Sequence, residues 1–399
     1  AAGGPSGGAA EVAIDVAASP AGARVPGIGL TLAPGGERAP AATGARLRAL
    51  GLEHVRVELR EPERAAERLA EAADVAAAAG AALAVAVYLR ETGDATVLAD
   101  ALRSQAERVT RLLVFARERP VTPASLVAAA REQLAGALPA ARIATGGDAW
   151  FVELNRHRAE LQAADGVAWS ITPQVHGTDA LTIVEALEAQ ADQVATARAL
   201  APGRDLLVGP VTLRAPYDAT APDAWEQALD PPPASVDPRQ GDLFAAAWTA
   251  ASLGQLAAAG ATAATYYETS GPRGVLGAEG RGVLPCWHPL ADAGGWRGWH
   301  VLPARSADPL AAQALVARGP DGALGALVAN LRDEPATVRL DGWAVAHARV
   351  RTLDARTCES ACADPVAFRG QAVEQPLDAD GALRLTLEPY AVATVTGGA

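Results

Sequence analysis

Glu268 ends the stretch Thr265–Glu268 directly behind two tyrosines. A carboxylate beside aromatic rings is partly desolvated, which raises its pKa and suits it to general acid or base work. Upstream, Pro173–Gly177 sets Gln174 and His176 at alternate positions, and His is the side chain best able to exchange a proton near neutral pH. Arg214, at the end of Gly209–Arg214, has the charge to hold a carboxylate or an oxyanion. A further group, Glu153, Asn155 and Arg156, follows the glycine pair Gly146–Gly147. A carboxylate, an amide and a guanidinium in one loop suit the orientation of a polyhydroxylated acid or its lactone. Arg56, Glu58 and Arg60 alternate and share one face of a strand, where substrate binding by Glu58 competes with an internal Arg–Glu brace.

These residues need a frame that delivers them to one place. From Val25 onward, short apolar runs alternate with longer helical patterns, the signature of a parallel sheet. The expected strands are 25–32, 54–59, 83–89, 111–115, 142–145, 167–171, 206–211 and 261–267. Between them lie amphipathic helices, the clearest over 181–200 with Ile183, Val184, Leu187, Ala191, Val194 and Ala195 on one face, Thr178 or Asp179 as its cap and Gly203 beyond its end. Eight β/α units in one run close most economically as a barrel, with the active site on the loops after the strands. After Gly294 the pattern changes to short strands with turn signals at Pro320–Gly322 and Asp380–Gly381, which reads as a small antiparallel β domain. The fold class is therefore α/β: a (β/α)8 TIM barrel followed by a β-sandwich.

Composition narrows the chemistry. The 399 residues carry a formal net charge of −12 and no Lys, so a Schiff-base lysine is excluded and nucleic acid is a poor partner. No run of 18 apolar residues and no secretory pattern is present, so no membrane contact is expected and the expected location is the cytoplasm. Cys286, Cys358 and Cys362 fit no disulfide or zinc spacing and are expected to be free thiols. No metal or other cofactor is expected: no His-x-His pair stands at ligand spacing, and only the separated Glu153, His176 and Glu268 offer a convergent set. Gly27–Gly29 is too short a match for a phosphate loop. Nothing in the sequence sets an oligomeric state.

Read together, Arg24–Gly29, Glu53–Val57, Phe151–Arg156, Ile171–His176, Gly209–Arg214, Val236–Gln240 and Thr265–Thr269 resemble the barrel of the D-apionate lactonase family, and the likeness extends over roughly residues 20–395. The resemblance implies hydrolysis of a sugar lactone, D-apionolactone to D-apionate, in bacterial apiose breakdown. Members of that family carry a further β-rich domain ahead of the barrel. Residues 1–20 are accordingly expected to be a low-complexity tail and the last strand of such a domain, with Glu11–Val16 pairing into the C-terminal β domain; 21–300 form the barrel and 301–399 the sandwich.

The barrel is also similar to retaining glycosidases, which need a Glu at the end of the fourth strand and another at the end of the seventh. Here the fourth offers only Glu118 and the seventh no carboxylate. A carbohydrate-binding barrel without chemistry is the remaining alternative, disfavoured by the wealth of polar residues at the strand ends. The leading expectation is a lactonase: water attacks the lactone carbonyl with Glu268 or Glu153 as base, Arg214 and His176 stabilise the oxyanion or protonate the leaving alkoxide, and Asn155, Gln174 and Tyr267 grip hydroxyls, with Glu58 and Arg156 also among the substrate-binding residues.

Overall fold

The structure, a computed structural model, describes residues 11–34, 41–92, 94–277, 282–343, 345 and 347–398. The expected low-complexity tail at 1–10 lies outside them. Two compact units are present: 26–240 with 259–284, and a second built from the stretch ending at Val25, 241–258 and 285 onward.

The first unit is a closed barrel of eight parallel strands, Gly27–Thr31, His54–Leu59, Ala82–Leu89, Val109–Ala116, Arg142–Gly146, Gly166–Ile171, Asp205–Val211 and Ala263–Ser270, with the eighth pairing to both the first and the seventh. Every strand expected from the sequence is present in the same order. Alternation explains which side faces in. In the third strand Ala84, Ala86 and Tyr88 join the interior cluster with Phe115, Ala144, Ala168 and Ala263, while Leu83, Val85, Val87 and Leu89 are buried on the other face. The interior alanines leave the barrel axis to long polar side chains from the second strand, His54 and Arg56, both buried. The helix expected over 181–200 is instead two, Ala180–Glu185 and Glu188–Leu200, with the Asp179 carboxylate capping the first through the Thr182 amide (2.9 Å).

At the N-terminal end of the barrel, His54 Nε2 meets Thr265 Oγ1 at 2.7 Å and Glu53 pairs with Arg111 at 2.7 Å. Burial raises the Glu53 pKa, but hydrogen bonds from His54 and Arg111 outweigh it and hold the group at about 2; burial pushes the His54 imidazole below its usual range. This network accounts for Gly27 and Gly29: a Cβ on either would lie 2.1 Å from Glu53 or His54. The two glycines make room for a polar floor.

The second unit is a β-sandwich. A four-stranded sheet contains Ala304–Ser306, Glu11–Val16, Ala336–Asp341 and Leu383–Leu387; a six-stranded sheet contains His300–Leu302, Ala312–Arg318, Leu324–Asn330, Val392–Gly397, Ala348–Leu353 and Val373–Gln375. Glu11–Val16 runs parallel to Ala336–Asp341, the pairing expected for it. Three short strands, 300–302, 304–306 and 373–375, escaped the sequence reading because three residues carry no periodicity. The helix Leu243–Ala259, apolar nearly all round, belongs to this unit and reaches the sandwich through Gln255, whose side chain donates to Gln313 (2.9 Å). Cys286, Cys358 and Cys362 are free thiols. Among the described residues no helix is long and apolar enough to cross a membrane.

Gly29→Ala should lower the unfolding free energy by about 3 kcal/mol, the upper end of overpacking penalties, because the new methyl displaces an imidazole fixed on two sides. Urea denaturation measures it, and adding His54→Ala should recover part of the loss; an unchanged midpoint would contradict this account of the floor.

Candidate active site

The polar floor is continued toward the C-terminal ends of the strands by a ring of four charges. Arg56 Nη2 donates to Glu58 Oε1 (2.8 Å) and Asp148 Oδ1 (3.0 Å), and Arg60 donates to Glu58 Oε2 (3.0 Å) and Asp148 Oδ2 (2.6 Å). Three of the four come from the second strand and the residue after it, where the period of two aims them inward; Asp148 follows the fifth strand directly, behind the two glycines. Arg56 is further tied to the Gly209 carbonyl (2.6 Å), Arg60 donates to the Tyr88 hydroxyl (2.9 Å), and the Tyr217 hydroxyl donates to Asp148 Oδ2 (2.9 Å). Burial acts to raise the Glu58 pKa, yet the Arg60 and Arg56 charges overcome it and hold Glu58 at about 2. Both the competing readings of the second strand meet here: Glu58 is part of an ionic brace and also lines the cavity above it.

That cavity, about 150 Å3, opens among the strand ends. At roughly 10–15 Å3 per water it has room for on the order of ten waters, or one small ring with its hydroxyls. Its polar wall is made by Glu58, Arg60, Asp148, Ser170, Thr212 and Glu268, with Tyr217 and Arg273 beside them. Leu32, Ile171, Leu229 and Pro231 supply apolar faces. No cavity residue comes from the third or the fourth strand.

Glu268 reaches the cavity by an irregularity. The eighth strand pairs Tyr266 with Leu30 but Glu268 with Thr31, so Tyr267 is bulged out of register, at φ 36. Strict alternation would send 267 and 268 to opposite faces; the bulge brings both to the cavity wall. Burial raises the Glu268 pKa, and the partly offsetting Arg273 guanidinium, 2.8 Å away, does not cancel it. Arg273 is braced in turn by Ser235 Oγ (3.0 Å). Two cavity carboxylates thus differ in proton affinity, Glu58 locked as an anion and Glu268 poised higher, the separation expected of an acid/base site.

Of the residues singled out from the sequence, the structure brings Glu58, Tyr267 and Glu268 to the cavity. It does not bring Glu153, Asn155, Arg156, His176, Gln174 or Arg214 to the wall. Glu153 and Arg156 lie on the short helix Val152–Arg156 and pair with each other at 2.5 Å, with His157 Nδ1 3.7 Å from the same carboxylate. His176 is exposed, and Arg214 is half-buried outside the wall. Gln174 is structural in position: its amide donates to the Leu213 carbonyl (2.6 Å) and to Asp237 (2.5 Å), tying two loops together. Asp148, Tyr217 and Arg273 were missed. Asp148 had a legible signal, as the first charged residue after a strand; the other two sit in excursions with no periodic pattern. Among the described residues no group of three or more His, Cys, Asp or Glu is placed to hold a metal.

With the fold and cavity in hand, relatives can be compared. Residues 28–298 match the D-apionate lactonase TIM barrel domain and residues 309–395 the C-terminal immunoglobulin-like domain of the same family. The chain belongs to the D-apionate lactonase family. A D-apionate lactonase of Brucella anthropi is 29% identical over 154 residues, 37% of this chain and 25% of that protein, so the matched segment spans about a quarter of the relative's length. Among solved structures, an arabinofuranosidase of family GH51 from Xanthomonas axonopodis pv. citri is similar with TM-score 0.71 and 12% identity over 97% of this chain and 99% of that one. A family GH30 endoxylanase from Clostridium papyrosolvens C71 is similar with TM-score 0.64 and 12% identity over 98% and 100%. At such identities the likeness is one of fold. The strand assignment removes the glycosidase arrangement from this family member: the fourth strand is followed by Glu118, exposed and 3.4 Å from Arg90, and the seventh by Thr212, Leu213 and Arg214.

Asp148→Ala should destabilise the barrel by roughly 2–3 kcal/mol, somewhat less than a fully buried broken pair because the cavity admits water to the stranded Arg60. Thermal unfolding reads it; a loss below 0.5 kcal/mol, on the order of a surface pair, would mean the ring contributes no cohesion.

Proposed function

We propose that this protein is a hydrolase that opens a small sugar lactone, D-apionolactone being the substrate that the family points to, and that it works in bacterial apiose breakdown in the cytoplasm. The observation that carries the reading is Glu268: a desolvated carboxylate of raised pKa, fixed by Arg273, on the wall of a cavity sized for one ring. The family match and the Brucella anthropi relative support the lactone over other esters.

In the mechanism that follows, a water held by Glu268 attacks the lactone carbonyl as its proton passes to the carboxylate. The carbonyl oxygen becomes an oxyanion and needs a donor. Arg60 lines the cavity, and among the described residues its Nη1 has no hydrogen-bond partner, so it can donate there without dismantling the ring of charges. Collapse of the tetrahedral intermediate breaks the bond between the carbonyl carbon and the ring oxygen, and Glu268 returns its proton to the departing alkoxide. The new carboxylic acid loses its proton to solvent. Ser170 and Thr212 face the substrate hydroxyls in this scheme. Glu58 takes no proton in this scheme, because the Arg60 and Arg56 charges hold its pKa at about 2.

A base whose pKa is raised by burial must lose its proton before it can act. The acid limb of kcat/KM should therefore lie above pH 4.5, the ordinary value for a glutamate, with rate falling as pH drops through it. Glu268→Gln should cost about 100-fold to 10,000-fold in kcat and abolish that limb. The check is proton release in a pH-stat from a panel of aldonolactones that includes apionolactone, run beside nitrophenyl glycosides. Lactone hydrolysis that survives in Glu268→Gln would remove Glu268 from the mechanism, and glycoside cleavage with silent lactones would overturn the lactonase reading itself.

A further inference from the structure

The cavity is off-centre, and one aromatic side chain packs over the part of the barrel mouth it leaves out. The excursion that follows the seventh strand contains the helix Ala224–Leu229, and its Trp225 packs onto the interior cluster of the barrel over the ends of the third and fourth strands. The indole meets the Tyr88 ring edge-on with centroids 5.8 Å apart, stacks on the Arg117 guanidinium at 3.9 Å, and lies 5.4 Å from that of Arg60. Arg60 and Leu229 form the cavity wall in front of it, while Trp225 remains half-buried. Behind Arg60 and Leu229, one aromatic residue thus fills the side of the barrel mouth that contains Tyr88, Phe115 and Arg117.

We propose that Trp225 is the size-determining residue of the site: it confines the substrate to a single sugar ring, and the ground it occupies is a closed second subsite for a sugar unit attached to the lactone. The chemistry beneath it fits that ligand. Beneath it lie the buried rings of Tyr88 and Phe115, tilted to each other with centroids 5.5 Å apart and with the Arg60 guanidinium over Tyr88 at 3.9 Å, and Arg117 offers hydrogen-bond donors at the rim. The indole is held there by contacts worth roughly 0.5–2 kcal/mol each beyond its area burial, enough to keep it in place. The role of Trp225 in selecting substrate rests on the lactonase reading, whereas its role in limiting what fits does not.

The test compares a monosaccharide lactone, gluconolactone, with its disaccharide counterpart, lactobionolactone, on the full chain. Wild type should favour the smaller by at least about 100-fold in kcat/KM, toward the upper end of what one pocket contact supplies. Trp225→Ala should raise the ratio of disaccharide to monosaccharide activity at least tenfold, with Trp225→Leu intermediate and serving where the alanine variant does not fold. Calorimetric titration with gluconate and lactobionate gives a second readout that needs no turnover: lactobionate should bind Trp225→Ala at least tenfold more tightly than wild type. Equal use of the two lactones by wild type would overturn the proposal, as would folded variants with unchanged ratio and unchanged lactobionate binding. Should no lactone be hydrolysed at all, the lactonase reading fails while the two titrations still decide whether Trp225 sets the size of the site.

Discussion

Everything at the mouth of this barrel depends on how two buried guanidinium groups are neutralised. Arg56 is 1% exposed inside the barrel, and a charge there is tolerable only when it is paired and hydrogen-bonded. Glu58 and Asp148 together satisfy both Arg56 and Arg60, closing a ring of two cations and two anions that joins the second strand to the loop after the fifth. The consequence for chemistry is indirect. The two guanidinium charges are matched by their own carboxylates, and Glu268 feels burial first and Arg273 second, with Glu58 pushing its proton affinity up and Arg68 lowering it. A neutral ring beside a desolvated acid is how one cavity keeps one carboxylate permanently charged and another available for proton transfer.

How much of this was legible follows from distance along the chain. Strands and their inward faces were readable because a period of two survives in sequences such as Arg56, Glu58, Arg60, and because strand ends fix position without reference to the rest of the fold. Glu268 was placed at a strand end on that basis, and it lines the cavity there. Carried several residues past a strand end, the reading met residues away from the cavity wall: Glu153, Asn155 and Arg156 lie on a helix of their own, whose i,i+3 geometry pairs Glu153 with Arg156. Asp148, two residues beyond Gly146, was overlooked in favour of those richer neighbours. The bulge at Tyr267 is set by pairing with the first strand, a long-range fact with no local signature.

The fold shared with arabinofuranosidases and xylanases raises the question of which hydrolysis the carboxylates of this cavity can support. Glycoside cleavage with retention needs two carboxylates flanking the bond, one of them free to attack carbon. In this cavity each Glu58 oxygen accepts from a guanidinium group, which holds the carboxylate in the ring of charges. The fourth and seventh strands, which would have to supply the pair, supply neither member, and over the fourth lies Trp225. Addition of water to a carbonyl makes a smaller demand: one base of raised pKa and one donor at the oxyanion. In the proposed mechanism Glu268 and the Nη1 of Arg60, which among the described residues has no hydrogen-bond partner, would meet that demand.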